Sequence, residues 1–145
     1  MKILIVEDDS ATASFMRMAF ASTGDDVETA SSVDDAIRQI TDNPPDVVLT
    51  DLTFGRDGKT GADGFSLLRW VRSNAESAHI GVLAVSGAGS PDVLRAVEDR
   101  GFDGFVAKPV DVALLLERVD RLGQVAADRR AAPRKIDGSA GPRAR

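Results

Sequence analysis

Five short apolar runs recur along the chain: KILIVE, DVET, DVVLTD, IGVLAVS and FDGFVAK. Their enrichment in Val, Ile and Leu over so few residues predicts strands. Segments of helical period lie between them. From Ser10 to Thr23 the spacing places Phe15, Met18, Ala19 and Ser22 on one helical face, and after Asp111 it does the same for Val112, Leu115, Leu116, Val119 and Leu122. Ser32 with Asp35, Ser90 followed by Pro91, and Asp111 supply helix starts, while Gly24, Gly101 and Gly123 supply stops.

The third and fourth runs lack polar alternation, which predicts strands buried on both faces. Each connection is long enough for a helical crossover. A parallel sheet covered by helices on both sides follows, an α/β fold. In open sheets of this kind ligands bind beyond the carboxyl ends of the strands, near the point where the winding reverses. The polar residues that end each strand are therefore the functional candidates.

At 145 residues and 43% hydrophobic, the chain suits one domain. It has no cysteine, which excludes disulfides and thiolate metal sites. The apolar run in MKILIVEDD is too short for a signal-peptide core, and no later run approaches the roughly 18 residues of a membrane span. A soluble cytoplasmic protein with no membrane contact is expected. Residues 1–122 hold 12 Lys/Arg against 21 Asp/Glu, a net −9, whereas 123–145 hold 6 against 2, a net +4. The second stretch, GQVAADRRAAPRKIDGSAGPRAR, has few large apolar residues with which to offset its ordering entropy. The expected division is a folded domain over 1–122 and a disordered basic tail over 123–145. The tail's charge permits electrostatic binding to nucleic acid or an anionic surface without specifying either, and nucleic acid is not an expected partner.

The first strand ends in Glu7, Asp8 and Asp9, the third in Asp51, the fourth in Ser86, and the fifth runs through Phe105 to Lys108 and Pro109. Three carboxylates in mutual contact would repel by about 4 kcal/mol per pair at about 4 Å and an effective dielectric of about 20. A cation is needed to hold them. Oxygen ligands favour a hard divalent ion, and Mg²⁺ matches a few carboxylates completed by water and a phosphoryl oxygen. No His/Cys set competes for a softer metal. Lys108 would be a second positive group facing Asp51, and Ser86 a hydroxyl donor. An aspartate so flanked can attack phosphorus, because the metal and the lysine absorb charge on the transferring oxygens.

The order IVEDD, DVVLTD ending in Asp51, AVSGA at Ser86, then FVAKP resembles the response-regulator receiver domain of two-component phosphorelay signalling over residues 2 to about 122. The resemblance implies that Asp51 is the phosphoacceptor, that Glu7 and Asp8 hold Mg²⁺ together with Asp51, and that Thr53 adds its backbone carbonyl. It further implies that Ser86 and Lys108 contact the phosphoryl group, that Phe105 is an aromatic switch residue, and that Lys108–Pro109 is a cis peptide. The implied fold is flavodoxin-like, (βα)5, with sheet order 2-1-3-4-5. The implied function is a stand-alone switch charged by a sensor histidine kinase or histidine phosphotransfer protein and read by a downstream protein. It would catalyse its own phosphorylation and slow dephosphorylation without being an enzyme in the ordinary sense. The competing reading is a constitutive interaction module of the same fold.

Two look-alikes fail on chemistry. TFGRDGKT, residues 53–60, approaches the P-loop pattern G-x-x-x-x-G-K-[ST], but Thr53 replaces the first glycine and Asp57 would put a carboxylate in the phosphate cradle. Gly61 and Gly64 also disfavour the helix that a P-loop requires. A phosphatase of the Asp-x-Asp type would need an acid where Thr53 stands. The chain departs from the receiver pattern in the same place: the usual Met-Pro is missing and Asp63-Gly64 come five residues late, lengthening the loop 52–62. Arg56, Asp57 and Lys59 in that loop could alter solvent access to the site or its fit to a kinase. His79 reads as a loop residue and Trp70 as part of a helix packed on the core. Of Met16 and Met18, one should face the core and the other solvent.

Overall fold

The computed structural model describes residues 1–53, 63–87 and 89–132. Strands and helices alternate: β1 (Lys2–Val6), α1 (Ser10–Ala19), β2 (Asp26–Ala30), α2 (Val33–Asp42), β3 (Val47–Thr50), α3 (Gly64–Ser73), β4 (Gly81–Ser86), α4 (Pro91–Arg100), β5 (Gly104–Ala107) and α5 (Val112–Ala131). The five strands form one sheet in the order β2-β1-β3-β4-β5, with every pairing parallel. The flavodoxin-like expectation holds. The winding reverses between β1 and β3, whose last residues Val6 and Thr50 are partners.

Alternation along each strand divides the core into two layers. Leu4, Val6, Val48, Val82 and Ala84 face α2, α3 and α4, where they meet Ile40, Leu67, Leu68, Val71 and Val97. The odd positions Ile3, Ile5, Val47, Leu49, Leu83 and Val85 face α1 and α5, where they meet Met16, Phe20, Leu115, Val119 and Leu122. β3 and β4 are buried along their whole length, as unbroken apolar runs require. The expected caps are present: Ser32 accepts from Asp35 N, Ser90 precedes Pro91 at the first helical turn, and Asp111 accepts from Leu114 N.

Two expectations are corrected. The core face of α1 is Ala13 and Met16, continued by Phe20, while Phe15 and Met18 are 49% and 74% exposed. Positions 13, 16 and 20 repeat with the same period as 15, 18 and 22, and both stripes carry apolar residues. Periodicity alone could not choose between them. The helix also ends at Ala19, short of Thr23.

The second correction concerns the boundary at residue 122. Gly123 does not stop α5, which runs on to Ala131, so residues 123–131 are helical and the disordered-tail reading fails there; residues 133–145 lie outside the described residues. A glycine inside a helix costs about 1 kcal/mol relative to alanine, but here its bareness is used. A Cβ on Gly123 would stand 2.6 Å from Met1 Sδ, so the Met1 side chain packs where the methyl would be. Farther along, Ala126 is buried and Arg129 clasps Asp103 through Nη2–Oδ1 at 2.6 Å and Nη1–Oδ2 at 3.3 Å.

Asp103 is a hub at the sheet edge opposite the carboxyl ends. Its Oδ2 accepts from Val82 N at 2.9 Å and from Arg72 Nη2 at 2.7 Å, and Arg72 also donates to the carbonyls of Ala78 and Ile80 at 3.0 and 2.6 Å. Burial pushes the Asp103 carboxyl up, but hydrogen bonds from Arg129 and Val82 and the charge of Arg72 outweigh it, and the net displacement is downward. A carboxylate held low stabilises the fold fully above its unfolded value near about 4, and that contribution is lost as pH falls through the folded value. Asp103→Ala should cost about 1–3 kcal/mol in urea unfolding, since it takes the acceptor from the Val82 amide and the carboxylate from half-buried Arg72. Arg129→Ala, at a more exposed side chain, should cost about 1 kcal/mol or less. Asp103→Asn should flatten the acid limb of stability below about pH 4, where the unfolded carboxyl takes up its proton before the folded one does.

Candidate functional site

Parallel register brings the strand ends together. Asp51 N donates to the Val6 carbonyl at 3.2 Å, Glu7 N to the Ala30 carbonyl at 2.9 Å, and Lys108 N to the Ser86 carbonyl at 3.1 Å. Glu7, Asp51 and Lys108 thus each stand one step beyond a ladder, at the carboxyl edge where the winding reverses. Glu7, Asp8, Asp9, Ser10, Asp51, Thr53 and Lys108 line one cleft there.

Lys108 reaches across it. Its Nζ lies 2.5 Å from Glu7 Oε1 and 2.9 Å from Asp51 Oδ2. The remaining oxygen of Asp51, Oδ1, accepts from Leu52 N at 2.7 Å and at longer range from Thr53 N, 3.4 Å. Glu7 Oε2 accepts from Asp9 N at 3.1 Å. Lys108 and Pro109 are joined by a cis peptide, as the resemblance implied.

Burial and pairing pull Glu7 in opposite directions. Glu7 is 3% exposed, and this burial raises its carboxyl above the ordinary range despite the hydrogen bond from Lys108. For Lys108, burial works against the charged form, but hydrogen bonds to Glu7 and Asp51 prevail and its ammonium is held more tightly than usual. The ion pair alone would lower Glu7; the cost of desolvating a carboxylate at the base of the cleft exceeds that gain.

Ligand oxygens of Glu7, Asp8 and Asp51 all lie within 4.8 Å of one another. Three carboxylates against one ammonium leave two negative charges, and like charges at that spacing repel by roughly 3–4 kcal/mol per pair at an effective dielectric of about 20. All the donors are oxygen, the set that a small hard divalent cation prefers. Asp9, the third acid of the first strand end, is used otherwise. It caps α1, accepting from Thr12 N at 3.0 Å and from the Thr12 hydroxyl.

The structure therefore brings Glu7, Asp8, Asp51, Thr53 and Lys108 into one cleft. Ser86 and Phe105 stand beside it, outside its lining. Ser86 is buried at the end of β4, and Phe105 is half-buried on the α4 side of the sheet, packed against that core layer and about 4 Å from where a Cβ of Gly89 would stand. Arg118 of α5 donates to the Phe105 carbonyl at 3.3 Å. His79 lies before β4 at the far edge of the sheet, where burial and then Arg130 push its imidazole down, and Trp70 packs on the core layer of α3; neither joins the cleft. Of the P-loop-like stretch and the lengthened loop, residues 54–62, Arg56, Asp57 and Lys59 among them, lie outside the described residues.

Reasoning from the sequence missed two groups that hold Asp51 in place. The Thr50 hydroxyl donates to the Asp51 carbonyl at 2.9 Å, and Gly64 N donates to the Leu52 carbonyl at 3.0 Å. The Asp-Gly pair before α3 was the available signal for the second. Asp63 caps that helix in a reciprocal box with Ser66.

Known proteins resemble this chain in sequence and fold. The gliding motility regulatory protein of Myxococcus xanthus is 29% identical over 123 residues, covering 84% of this chain and 15% of that protein. Response regulator MprA of Mycobacterium sp. (strain KMS) is 32% identical over 121 residues, 83% of this chain and 50% of that one. The chain thus spans half or less of the length of these relatives. Among solved structures, the receiver domain of Francisella response regulator 1452 superposes with a TM-score of 0.74 at 27% identity, covering 85% of this chain and 96% of that one. The model of the response regulator receiver domain matches residues 3–120, and with the sheet order and the strand-end cleft this places the chain in the response-regulator receiver family.

Proposed function

We propose that the protein is a phosphoacceptor switch in which Asp51 takes a phosphoryl group from a phosphohistidine on a sensor kinase or phosphotransfer protein. The observation that carries this is the placement of Lys108, whose ammonium lies between Asp51 and Glu7 in a cleft that also holds Asp8. An oxygen of the Asp51 carboxylate attacks phosphorus, the P–N bond to the donor breaks, and the imidazole nitrogen leaves with the electron pair. The product is an aspartyl phosphate. As charge moves onto the phosphoryl oxygens, Lys108 is near enough to follow it, and the buried hydroxyl residue Ser86 closes from the end of β4.

Glu7, Asp8, Asp51 and the Thr53 carbonyl would hold Mg²⁺. When bound it offsets the charge of the acidic cluster and of the transferring oxygens. Thr53 stands where a turnover phosphatase would have its acid, which supports slow loss of the phosphoryl group once formed. The donor has a surface to meet beside the cleft. Ala11, Thr12 and Phe15 of α1, with Pro109 and Val110, line a groove that Lys108 also borders, so the exposed apolar stripe of α1 suits a partner helix carrying the phosphohistidine. Attraction of Ser86 toward the phosphoryl group would vacate space for Phe105 and repack the face of α4, β5 and α5, giving a downstream protein a changed surface.

Incubation with Mg²⁺ and acetyl phosphate, followed by intact-mass measurement, should give a single phosphoryl adduct on the wild type. Asp51→Asn and a chelated sample should give none. A folded wild type that takes no adduct from acetyl phosphate or from a phosphohistidine donor would leave the constitutive interaction module in its place. In thermal or urea unfolding, Mg²⁺ at about 100 times its Kd should add about 2.7 kcal/mol. Asp8→Asn should raise the Mg²⁺ concentration needed for that gain about tenfold or more; equal midpoints for the two proteins would remove Asp8 from the metal site.

A further inference from the structure

The first residue of α3 lies against the main chain of Asp51. A Cβ on Gly64 would stand 2.2 Å from the Asp51 carbonyl oxygen, 3.0 Å from Leu52 Cα and 3.1 Å from the Asp51 carbonyl carbon. All three are backbone atoms, which cannot rotate aside as the end of a side chain can. Gly64 is not among the glycines with positive φ, so its glycine is required for space and not for torsion. From the other side, the Thr50 hydroxyl holds the same carbonyl at 2.9 Å. The peptide that carries the candidate nucleophile is thus fixed between its own strand and the start of a helix.

If a methyl group were added at Gly64, the more weakly held body would yield. α3 is anchored throughout: Asp63 and Ser66 close a capping box, Leu67, Leu68 and Val71 are buried, and Phe65 meets Phe102 edge-on at 5.4 Å. At its far end Arg72 is bound to two carbonyls and to Asp103. Asp51 and Leu52, by contrast, lie past the last residue of β3, where the strand bonding tails off in the long bond from Asp51 N to the Val6 carbonyl at 3.2 Å. The strand end would move. We infer that Gly64 is a positioning residue, whose lack of a side chain lets α3 set the backbone of Asp51 and thereby the aim of its carboxylate and of the Thr53 carbonyl.

This inference rests on the proposed phosphoacceptor role, and its test separates the two. The wild-type chain, Gly64→Ala, Ser66→Ala and Leu122→Ala are compared by acetyl phosphate labelling rate, by calorimetric titration with Mg²⁺ alone, and by circular dichroism with urea unfolding. A displacement of about 1 Å at a reacting group can cost about 100-fold in rate, so Gly64→Ala, if folded, should label about 100-fold more slowly and bind Mg²⁺ about tenfold more weakly. Leu122→Ala loses core packing beside Gly81 at the opposite end of the sheet and should keep both values while losing stability. Folded Gly64→Ala with wild-type rate and affinity would overturn the inference, as would an equal fall in Leu122→Ala, which would make the effect one of general stability. If Gly64→Ala does not fold, Ser66→Ala decides: loosening the capping box should weaken Mg²⁺ binding several-fold, and wild-type affinity would sink the idea. A wild type that never labels would remove the phosphoacceptor reading, while the Mg²⁺ affinities would still judge Gly64.

Discussion

One ammonium ties three strand ends together. Lys108 Nζ holds Glu7 beyond β1 at 2.5 Å and Asp51 beyond β3 at 2.9 Å, while its backbone amide is bound to the Ser86 carbonyl at the end of β4. Without a positive group there, a buried Glu7 and its two acidic neighbours would face one another across a few ångströms, at a cost of several kcal/mol. The sheet supplies the juxtaposition through register alone, and the lysine makes it tolerable. Every functional distance in the cleft depends on that arrangement, which sits in a half-buried setting where charge is weakly screened and both removal and addition of a charge are strongly felt.

The acceptance of net negative charge at this edge has a counterpart at the other. Asp103 gathers two guanidinium groups, Arg72 and Arg129, and the Val82 amide, whereas Glu7 and Asp51 share the one ammonium of Lys108. The first cluster closes on itself and serves stability. The second leaves an excess of negative charge beside an open cleft, which is the feature on which the proposed binding of a cation rests.

Much of this was legible in the sequence because the strands are short apolar runs that end abruptly in charged or hydroxyl residues. Glu7, Asp8, Asp51, Ser86 and Lys108 announce themselves by position in that pattern, and the parallel winding then puts them on one edge. What stayed hidden depends on contacts distant along the chain or on a choice between equal stripes. Arg72 and Arg129 meet Asp103 from 31 and 26 residues away, and nothing local marks any of them. Gly123 looks like a helix stop until Met1 is found packed over it. Asp8 and Asp9 are indistinguishable by composition; only the helix start, with Thr12 bound to Asp9, assigns one to capping and leaves the other to the cleft. The two apolar stripes of α1 differ in what lies beneath them, which periodicity does not report.

The distribution of anchors also indicates where the fold can respond. β5 is held before its first residue by Asp103, after its last by Lys108, and between them by Arg118 on the Phe105 carbonyl. Its backbone has little freedom, so a change at Asp51 must be passed on by side chains or by the neighbouring element. α4 is that element: Val97 is its one buried residue among those described, compared with four in α3 and four in α5. Burial of so little apolar surface makes a shift of α4 inexpensive relative to any other helix. Arg100 over the Phe65 ring at 5.2 Å tethers its far end to α3, whereas Gly89, just before its near end, lies beside Phe105, where an added Cβ would stand 4.0 Å from the ring edge. If Asp51 is the phosphoacceptor proposed above, a pull on Ser86 would be passed to α4 at its untethered end, and the size of the response would be set by how little apolar burial α4 has to give up in moving.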